Sequence, residues 1–217
     1  MHIPDGFINI PTATGYSLLA TSGVGYALKE ARAKLTEKAA PLIGLVAVFV
    51  FAAQMINFPV AAGTSGHLLG GALAAVLVGP YAASLAITVV LVVQALLFAD
   101  GGLTAIGLNV FNMSIVGVWT GYGIFLLMRK FLGNKKSSVV IGSAVGAFIS
   151  VPLAAASFSL EYAIGGEGTF SNATVFAAMF GTHILIGIGE GIITFLTISA
   201  ILKTRPDLVY GMAEVQK

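Results

Sequence analysis

Residues 82–99 of the chain read AASLAITVVLVVQALLFA, a run without a single charge. A helix of this length and composition suits the hydrocarbon core of a bilayer, which takes about 20 apolar residues to cross. The 217-residue chain as a whole is similar, because 57% of its residues are hydrophobic and only 9% are charged. Soluble domains are about one quarter charged. We therefore predict an all-α, polytopic membrane helix bundle that forms one domain over residues 1–217.

Seven apolar segments are separated by proline, turn or charged residues. The third reaches only about 20 Å at 1.5 Å per residue, so we predict a short or broken helix there. The 27 glycines are spread through the apolar runs, which favours close helix packing. After an N-terminal loop at 1–11, the predicted spans lie near 12–28, 41–58, 67–79, 82–99, 105–128, 139–163 and 173–202.

The basic residues predict the orientation in the membrane. All 11 Lys and Arg residues fall into three groups, within 29–38, 129–136 and 203–217. Threading seven spans in order places every group on one side, which the positive-inside rule makes cytoplasmic. The expected topology is N-out and C-in. The outer connections then carry only acidic charges: Asp5, Asp100, Glu161 and Glu167.

Several classes of chemistry are excluded by composition. The chain has no cysteine, which removes disulfides and thiolate metal sites. It has no Walker A sequence, so we do not expect it to hydrolyse nucleotide. No signal peptide is visible, and His2 is a bulky second residue, so Met1 is expected to stay on the mature protein.

Met1 and His2 together form a candidate chelating unit. The α-amine, the His2 amide nitrogen once deprotonated, and His2 Nδ1 close adjacent rings around one metal, with three nitrogens in a plane. Such donors favour Ni(II) and Cu(II), admit Co(II), and leave a fourth corner open. The competing interpretation is an accidental, frayed chain end, and the dipeptide alone favours that one.

His67 is the candidate for the fourth corner. It follows Gly63-Thr64-Ser65-Gly66, in which Thr64 or Ser65 is expected to cap the third helix. In an N-out protein it lies on the same side as the terminus. A histidine that is merely hydrogen-bonded within the bundle is the alternative.

Two ionisable residues of the last span, His183 and Glu190, are seven apart and therefore share a helix face. An ionisable group within a membrane is costly and normally faces the bundle interior, so both are candidates for a supporting or pathway role. A structural hydrogen bond explains them equally well, and neither is predicted to be a direct ligand.

Asn109 and Asn112 are three apart and can share a face of the fifth span. Hydrogen bonds to a metal-bound histidine or to the terminal loop would explain them, as would a similar role for Ser65. Ordinary contacts between helices explain them at least as well.

Four motifs occur in order along the chain: Met1-His2-Ile3-Pro4-Asp5-Gly6-Phe7, Gly63 to His67, Gln94 to Gly102, and Asn109-Val110-Phe111-Asn112-Met113. Together they resemble the CbiM/NikM family, the substrate-binding (S) membrane components of energy-coupling-factor (ECF) transporters for cobalt and nickel. The resemblance covers nearly the whole chain. It implies that the terminal loop inserts into the bundle, where the Met1 amine, the His2 amide and imidazole nitrogens and the His67 imidazole bind one metal in a near-square plane.

The resemblance also implies the setting. The partners would be a transmembrane coupling (T) subunit, two cytoplasmic ATPase subunits, membrane lipid and, in some members, a small accessory membrane subunit, with no nucleic acid. The expected location is a bacterial or archaeal cell membrane, the cargo is Ni²⁺ or Co²⁺, the link is to cobalamin biosynthesis, and no organic cofactor is involved.

Two alternatives remain open from the sequence. An S-component for an organic vitamin would call for aromatic stacking, and the chain has only one tryptophan, Trp119. An intramembrane metal-dependent enzyme would need a motif such as H-E-x-x-H, and neither His67 nor His183 is followed by Glu at that spacing. We therefore do not expect an enzyme. No residue separates nickel from cobalt.

Overall fold

A computed structural model describes residues 1–34, 39–60 and 64–213. Its regular secondary structure is helical apart from one small hairpin, in which β1 (Phe58–Val60) pairs antiparallel with β2 (Thr64–Gly66). The prediction of an all-α bundle is thus confirmed. The helices are α1 (Ile10–Lys34), α2 (Ala40–Gln54), α3 (Gly71–Val78), α4 (Pro80–Phe98), α5 (Ile106–Val110), α6 (Val118–Leu132), α7 (Lys136–Gly165), α8 (Asn172–Thr204) and α9 (Tyr210–Ala213).

Four helices of the described chain are long and apolar enough to cross a membrane. They are α4, α7, α8 and the continuous helix Ile106–Leu132, in which a π-helical segment, Phe111–Gly117, joins α5 to α6. Large apolar side chains are exposed on the outer faces of the bundle, as expected for contact with lipid. Examples are Leu18, Leu45, Leu97, Phe131 and Leu185.

The short helix α3 lies at the centre of the bundle, where all eight of its residues are buried. It packs against α2, α4, α6 and α7. It occupies only 71–78 of the predicted segment 67–79, because Gly79 at φ 85° and Pro80 at the start of α4 break the helix. Its backbone before residue 71 is not helical, which leaves His67 in an interior loop.

The predicted cap of α3 is wrong. The helix begins after Gly70, which is left-handed at φ 73° and makes no side-chain cap. Thr64 and Ser65 lie five or more residues upstream in strand β2, where their backbones pair with β1. These residues therefore take part in strand pairing and do not cap the helix.

Small residues bring the central helices together, as the glycine content predicts. A Cβ atom on Gly121 of α6 would lie 2.5 Å from Cβ of Ala72 in α3. A Cβ atom on Gly146 of α7 would overlap the carbonyl oxygen of Gly121. The three helices can approach this closely only because these positions lack side chains.

The two ends of the bundle differ in charge. At one end the Lys34 Nζ lies 4.6 Å from the ring centre of Tyr81, and Arg129 Nη1 donates to the Gly211 oxygen at 2.8 Å. The end of α1 thus meets the start of α4 there, and the end of α6 meets α9. The N-terminal loop lies at the opposite end, where the Asn9 amide donates to the Gly165 oxygen at 2.7 Å.

Glu161 does not lie in an exposed connection, contrary to the prediction. Helix α7 continues to Gly165, and Glu161 is fully buried within it. Its Oε2 accepts a hydrogen bond of 2.7 Å from Asn112 Nδ2 in the π-helical segment. This hydrogen bond from the facing helix offsets part of the free-energy cost of burying the carboxyl group.

Candidate metal centre

The first three residues of the chain lie inside the bundle, with Met1, His2 and Ile3 exposed by 0%, 4% and 0%. Buried backbone must find hydrogen-bond partners, and Ile3 has them on both sides. Its amide donates to Asn109 Oδ1 at 2.7 Å, and its carbonyl oxygen accepts from Asn109 Nδ2 at 3.2 Å and from the Gly102 amide at 2.8 Å. Asn109 therefore holds the inserted loop directly.

The loop then turns towards the surface at Asp5. One carboxylate oxygen of Asp5 accepts hydrogen bonds from the hydroxyl (2.6 Å) and the amide (2.7 Å) of Thr104, and these bonds lower the pKa of Asp5. The loop passes so close to Gly102 that a Cβ atom there would overlap the Asp5 amide. Gly101 is left-handed at φ 98°. The glycines after Asp100 thus make room for the terminus.

Asp100 is the partner of His2, with 2.6 Å between its Oδ1 and His2 Nδ1. Burial lowers the pKa of His2, so its ring is neutral and donates from Nδ1. Burial alone would raise the pKa of Asp100, but its contacts with His2 bring it below the ordinary value, so the carboxyl group is ionised. His2 Nε2 has no partner. Because the predicted chelate uses Nδ1, metal binding through it requires the imidazole to turn away from Asp100.

His67 lies beside His2, with their ring centroids 4.6 Å apart and the planes inclined by 56°. Its side chain is fully buried, and its Nδ1 is 2.7 Å from the Leu68 carbonyl oxygen. A carbonyl oxygen only accepts, so Nδ1 carries the hydrogen and Nε2 is left with a free lone pair. This Nε2 has no hydrogen-bond partner. His67 is thus in the tautomer that suits a metal ligand.

The Met1 amine completes the cluster. Burial lowers its pKa from 8.0 to about 4, against the opposing attraction of Asp100. The amine is therefore uncharged at neutral pH and has a lone pair available. A positive charge on this amine would lower the pKa of His2 and of His67, the two imidazoles whose rings lie 4.6 Å apart.

Glu190 supports the His67 segment from helix α8. Its Oε2 accepts from the Leu69 amide at 2.7 Å, and its Oε1 accepts from the Gly70 amide at 2.8 Å. Gln54 of α2 adds a bond of 2.8 Å from Nε2 to the Leu69 oxygen. Both carboxylate oxygens are engaged with backbone, so Glu190 has the structural role that the sequence left open as one alternative.

The remaining predicted residues divide between the site and its surroundings. Asn109 contacts the terminal loop, whereas Asn112 is bonded to Glu161 and does not. The side chain of Ser65 lies outside the described part of the structure. His183 is fully buried in α8, with Nδ1 2.7 Å from the Met179 oxygen.

The donors in this cluster are unusual in kind. In residues 1–34, 39–60 and 64–213, no three His, Asp or Glu side chains come together as a metal site. A transition metal held here would therefore need the amine or backbone nitrogen as well as imidazoles. Sequence reasoning did not predict the contact between Asp100 and His2. The two glycines that follow Asp100 are the sequence signal for a tight turn at this position.

The fold and the site define a helical membrane protein with four helices apolar enough to cross a bilayer and a buried terminus among neutral nitrogen donors. The CbiM family model, described as "Cobalt uptake substrate-specific transmembrane region", matches residues 2–208. The chain belongs to this family, as the four motifs predict.

Named relatives agree with this assignment. A protein of Archaeoglobus fulgidus, "Putative fused nickel transport protein NikMN", is 40% identical over 96% of this chain and 68% of its own length. The "Cobalt transport protein CbiM 1" of Pelobacter propionicus is 31% identical over 94% of this chain and 91% of its own. The crystal structure of a truncated transition metal transporter superposes with a TM-score of 0.87 at 32% identity, covering 94% of this chain and 99% of that one. The chain is a member of a family of metal transport proteins and not of enzymes.

Proposed function

We propose that this chain is the substrate-binding component of an ECF-type importer that takes one Ni²⁺ or Co²⁺ ion from outside and delivers it to the cytoplasm. Relatives named for nickel transport and for cobalt transport support both cargoes. The observation that carries the proposal is the buried Met1 amine, uncharged at neutral pH, beside His2 and His67.

The proposed ligands are the Met1 amine, the His2 amide nitrogen, His2 Nδ1 and His67 Nε2. Four strong nitrogen donors in a plane suit Ni(II), with Co(II) as a guest. The free lone pair on His67 Nε2 supports this set. Once the His2 ring has turned, Asp100 remains nearby as an anion that favours a divalent cation.

The proposed topology is N-out and C-in with seven spans, at a cell membrane. The four long apolar helices would be joined by α1, α2 and the short α3 as the other three spans. The basic ends of α1 and α6 gather at the end opposite the buried terminus, which the positive-inside rule makes cytoplasmic. A cation would then enter from outside at the end that holds Asp5 and Asp100.

Import needs an energy source that this sequence does not contain, since it has no Walker A motif. The proposed partners are a transmembrane coupling subunit, two cytoplasmic ATPases and, for some family members, a small accessory membrane subunit. The fused names of two relatives support association with further transporter components.

Metal content measured by elemental analysis tests the proposal. C-terminally tagged protein is loaded with nickel or cobalt, and its native terminus is compared with a variant bearing one extra Gly before Met1. The native protein is expected to hold about one metal and the extended protein none, because the added residue displaces the amine from the chelate. A Gly inserted in the exposed connection after Gly133 serves as the matched control and is expected to bind normally.

Equal binding by the native and extended proteins would refute the terminal chelate. Absence of metal from both would favour an organic substrate instead.

A further inference from the structure

His183 has a buried lone pair that no described contact uses. Its side chain is fully buried, and Nδ1 lies 2.7 Å from the Met179 carbonyl oxygen. Because that oxygen only accepts, Nδ1 carries the hydrogen and Nε2 is unprotonated. No hydrogen-bond partner reaches this Nε2. A buried acceptor without a hydrogen-bond partner costs free energy, so a functional role for this nitrogen needs to be considered.

The position of His183 connects it with the metal centre. Helix α8 contacts strand β2, whose last residue directly precedes His67. Two helical turns after His183, Glu190 accepts hydrogen bonds from the Leu69 and Gly70 amides, which follow His67 directly. The face of α8 that carries His183 therefore lies against the segment that carries His67.

His183 is not a member of the same ligand set in this structure. Within the described ranges, no three His, Asp or Glu side chains are close enough together to share a metal. His183 therefore lies outside the proposed group of metal ligands that includes His2 and His67. It lies about 16 Å along α8 from Asn172, at 1.5 Å per residue, and thus well inside the bundle.

We propose that His183 Nε2 is the next ligand that the metal meets when it leaves the terminal site. The proposal rests on the function proposed above. The step is a ligand exchange without oxidation or reduction. A bond from the metal to His183 Nε2 forms as a bond to one of the terminal nitrogens breaks, and the His2 amide nitrogen regains its proton from water when the metal leaves.

Two substitutions separate the lone pair from the hydrogen bond. In His183→Asn the amide Nδ2 can still donate to the Met179 oxygen, but Nε2 is gone. In His183→Cys the side chain again has a metal-binding atom, and the chain contains no other cysteine. Thr182→Ala, on a neighbouring face of the same turn, is the control.

The test measures metal content of the purified protein and uptake of radioactive nickel by cells that produce the whole transporter. His183→Asn is expected to hold about one metal, like the native protein, but to lower the uptake rate at least tenfold. His183→Cys is expected to recover much of the uptake. Under turnover it should also show a nickel–thiolate charge-transfer band in the near ultraviolet, which a purely structural residue would not produce.

Native uptake by His183→Asn would overturn the proposal, and so would a His183→Cys protein without the charge-transfer band. Loss of bound metal from His183→Asn would overturn it as well, since His183 would then act in the resting site. If the native protein itself holds no metal, the proposed function fails first, so the two failures are distinguishable.

Discussion

Replacing Asn109 by leucine would remove the side chain that holds the inserted terminus while keeping a similar volume. The Ile3 amide would lose its partner at 2.7 Å, and the Ile3 oxygen would keep only the bond from Gly102. A buried donor left unsatisfied costs about 1–3 kcal/mol, and the Ile3 oxygen also loses one of its two bonds, which places the total in the upper part of this range. We therefore expect insertion of the loop to be weakened by about 2–3 kcal/mol.

Only the inserted terminus can chelate the metal. The free energy lost from insertion therefore sets the upper limit on the loss of apparent affinity. With 1.4 kcal/mol for each factor of ten, nickel should bind up to about 30- to 100-fold more weakly. Equilibrium dialysis with radioactive nickel measures the change. Asn109→Asp, which keeps Oδ1 as an acceptor, should lose less.

The control is Asn112→Leu, three residues further along the same helix. Asn112 is bonded to Glu161 and does not touch the loop, so this variant should lower the melting temperature and leave the affinity of the folded fraction unchanged. Nickel binding by Asn109→Leu within twofold of native would refute the view that Asn109 secures the terminus.

Three further predictions address the same site. Because burial lowers the pKa of the Met1 amine from 8.0 to about 4, the withdrawn terminus binds a proton that the inserted one does not. Insertion and metal affinity should therefore rise with pH between about 4 and 8 and fall on acidification, and dialysis from pH 5 to 8 that shows constant affinity would contradict this. Glu190→Gln leaves one acceptor oxygen for the two amides of Leu69 and Gly70, so the loss of about 1.5 kcal/mol should weaken nickel binding about tenfold, and unchanged isothermal titration curves would count against it. Gly102→Ala should lower metal content in elemental analysis by more than tenfold, because its Cβ atom overlaps the Asp5 amide, and a fully loaded variant would show that the loop has another path.

Local sequence patterns were sufficient to predict the helices and to propose the kinds of donor atoms. The long uncharged runs predict the helices α4, α7 and α8, since a membrane helix depends mainly on length and hydrophobicity. The chemistry of an amine, an amide and an imidazole in a row predicts the Met1-His2 unit. Both inferences use only residues that are adjacent in the chain.

Contacts between distant residues could not be predicted in the same way. Asn109 and Ile3 are 106 positions apart, and Glu190 and Leu69 are 121 apart. Nothing local distinguishes Asn109, which holds the terminus, from Asn112, which holds Glu161. Asn109 lies in α5, whereas Asn112 lies in the π-helical segment that begins at Phe111.

The hairpin of β1 and β2 shows a second limit. Thr64 and Ser65 are good helix-capping residues, but pairing with Phe58–Val60 uses their backbone instead. The segment from His67 to Gly70 is therefore an interior loop, and its backbone groups need hydrogen-bond partners from other elements. Gln54 and Glu190 do this from two different helices.

Charge balance links these features to the proposed cargo. A divalent cation within a bundle is tolerable only when negative charge accompanies it. The Met1 amine and both imidazoles are neutral donors and supply none. A deprotonated His2 amide would supply one negative charge, and the ionised Asp100 carboxylate would supply the second. In the metal-free protein the same carboxylate accepts the Nδ1 hydrogen of His2, so Asp100 has a partner in both states. A terminus of neutral donors beside one carboxylate can therefore enter the bundle empty or loaded, because the carboxylate is hydrogen-bonded to His2 in the empty state and its charge is balanced by the metal in the loaded state.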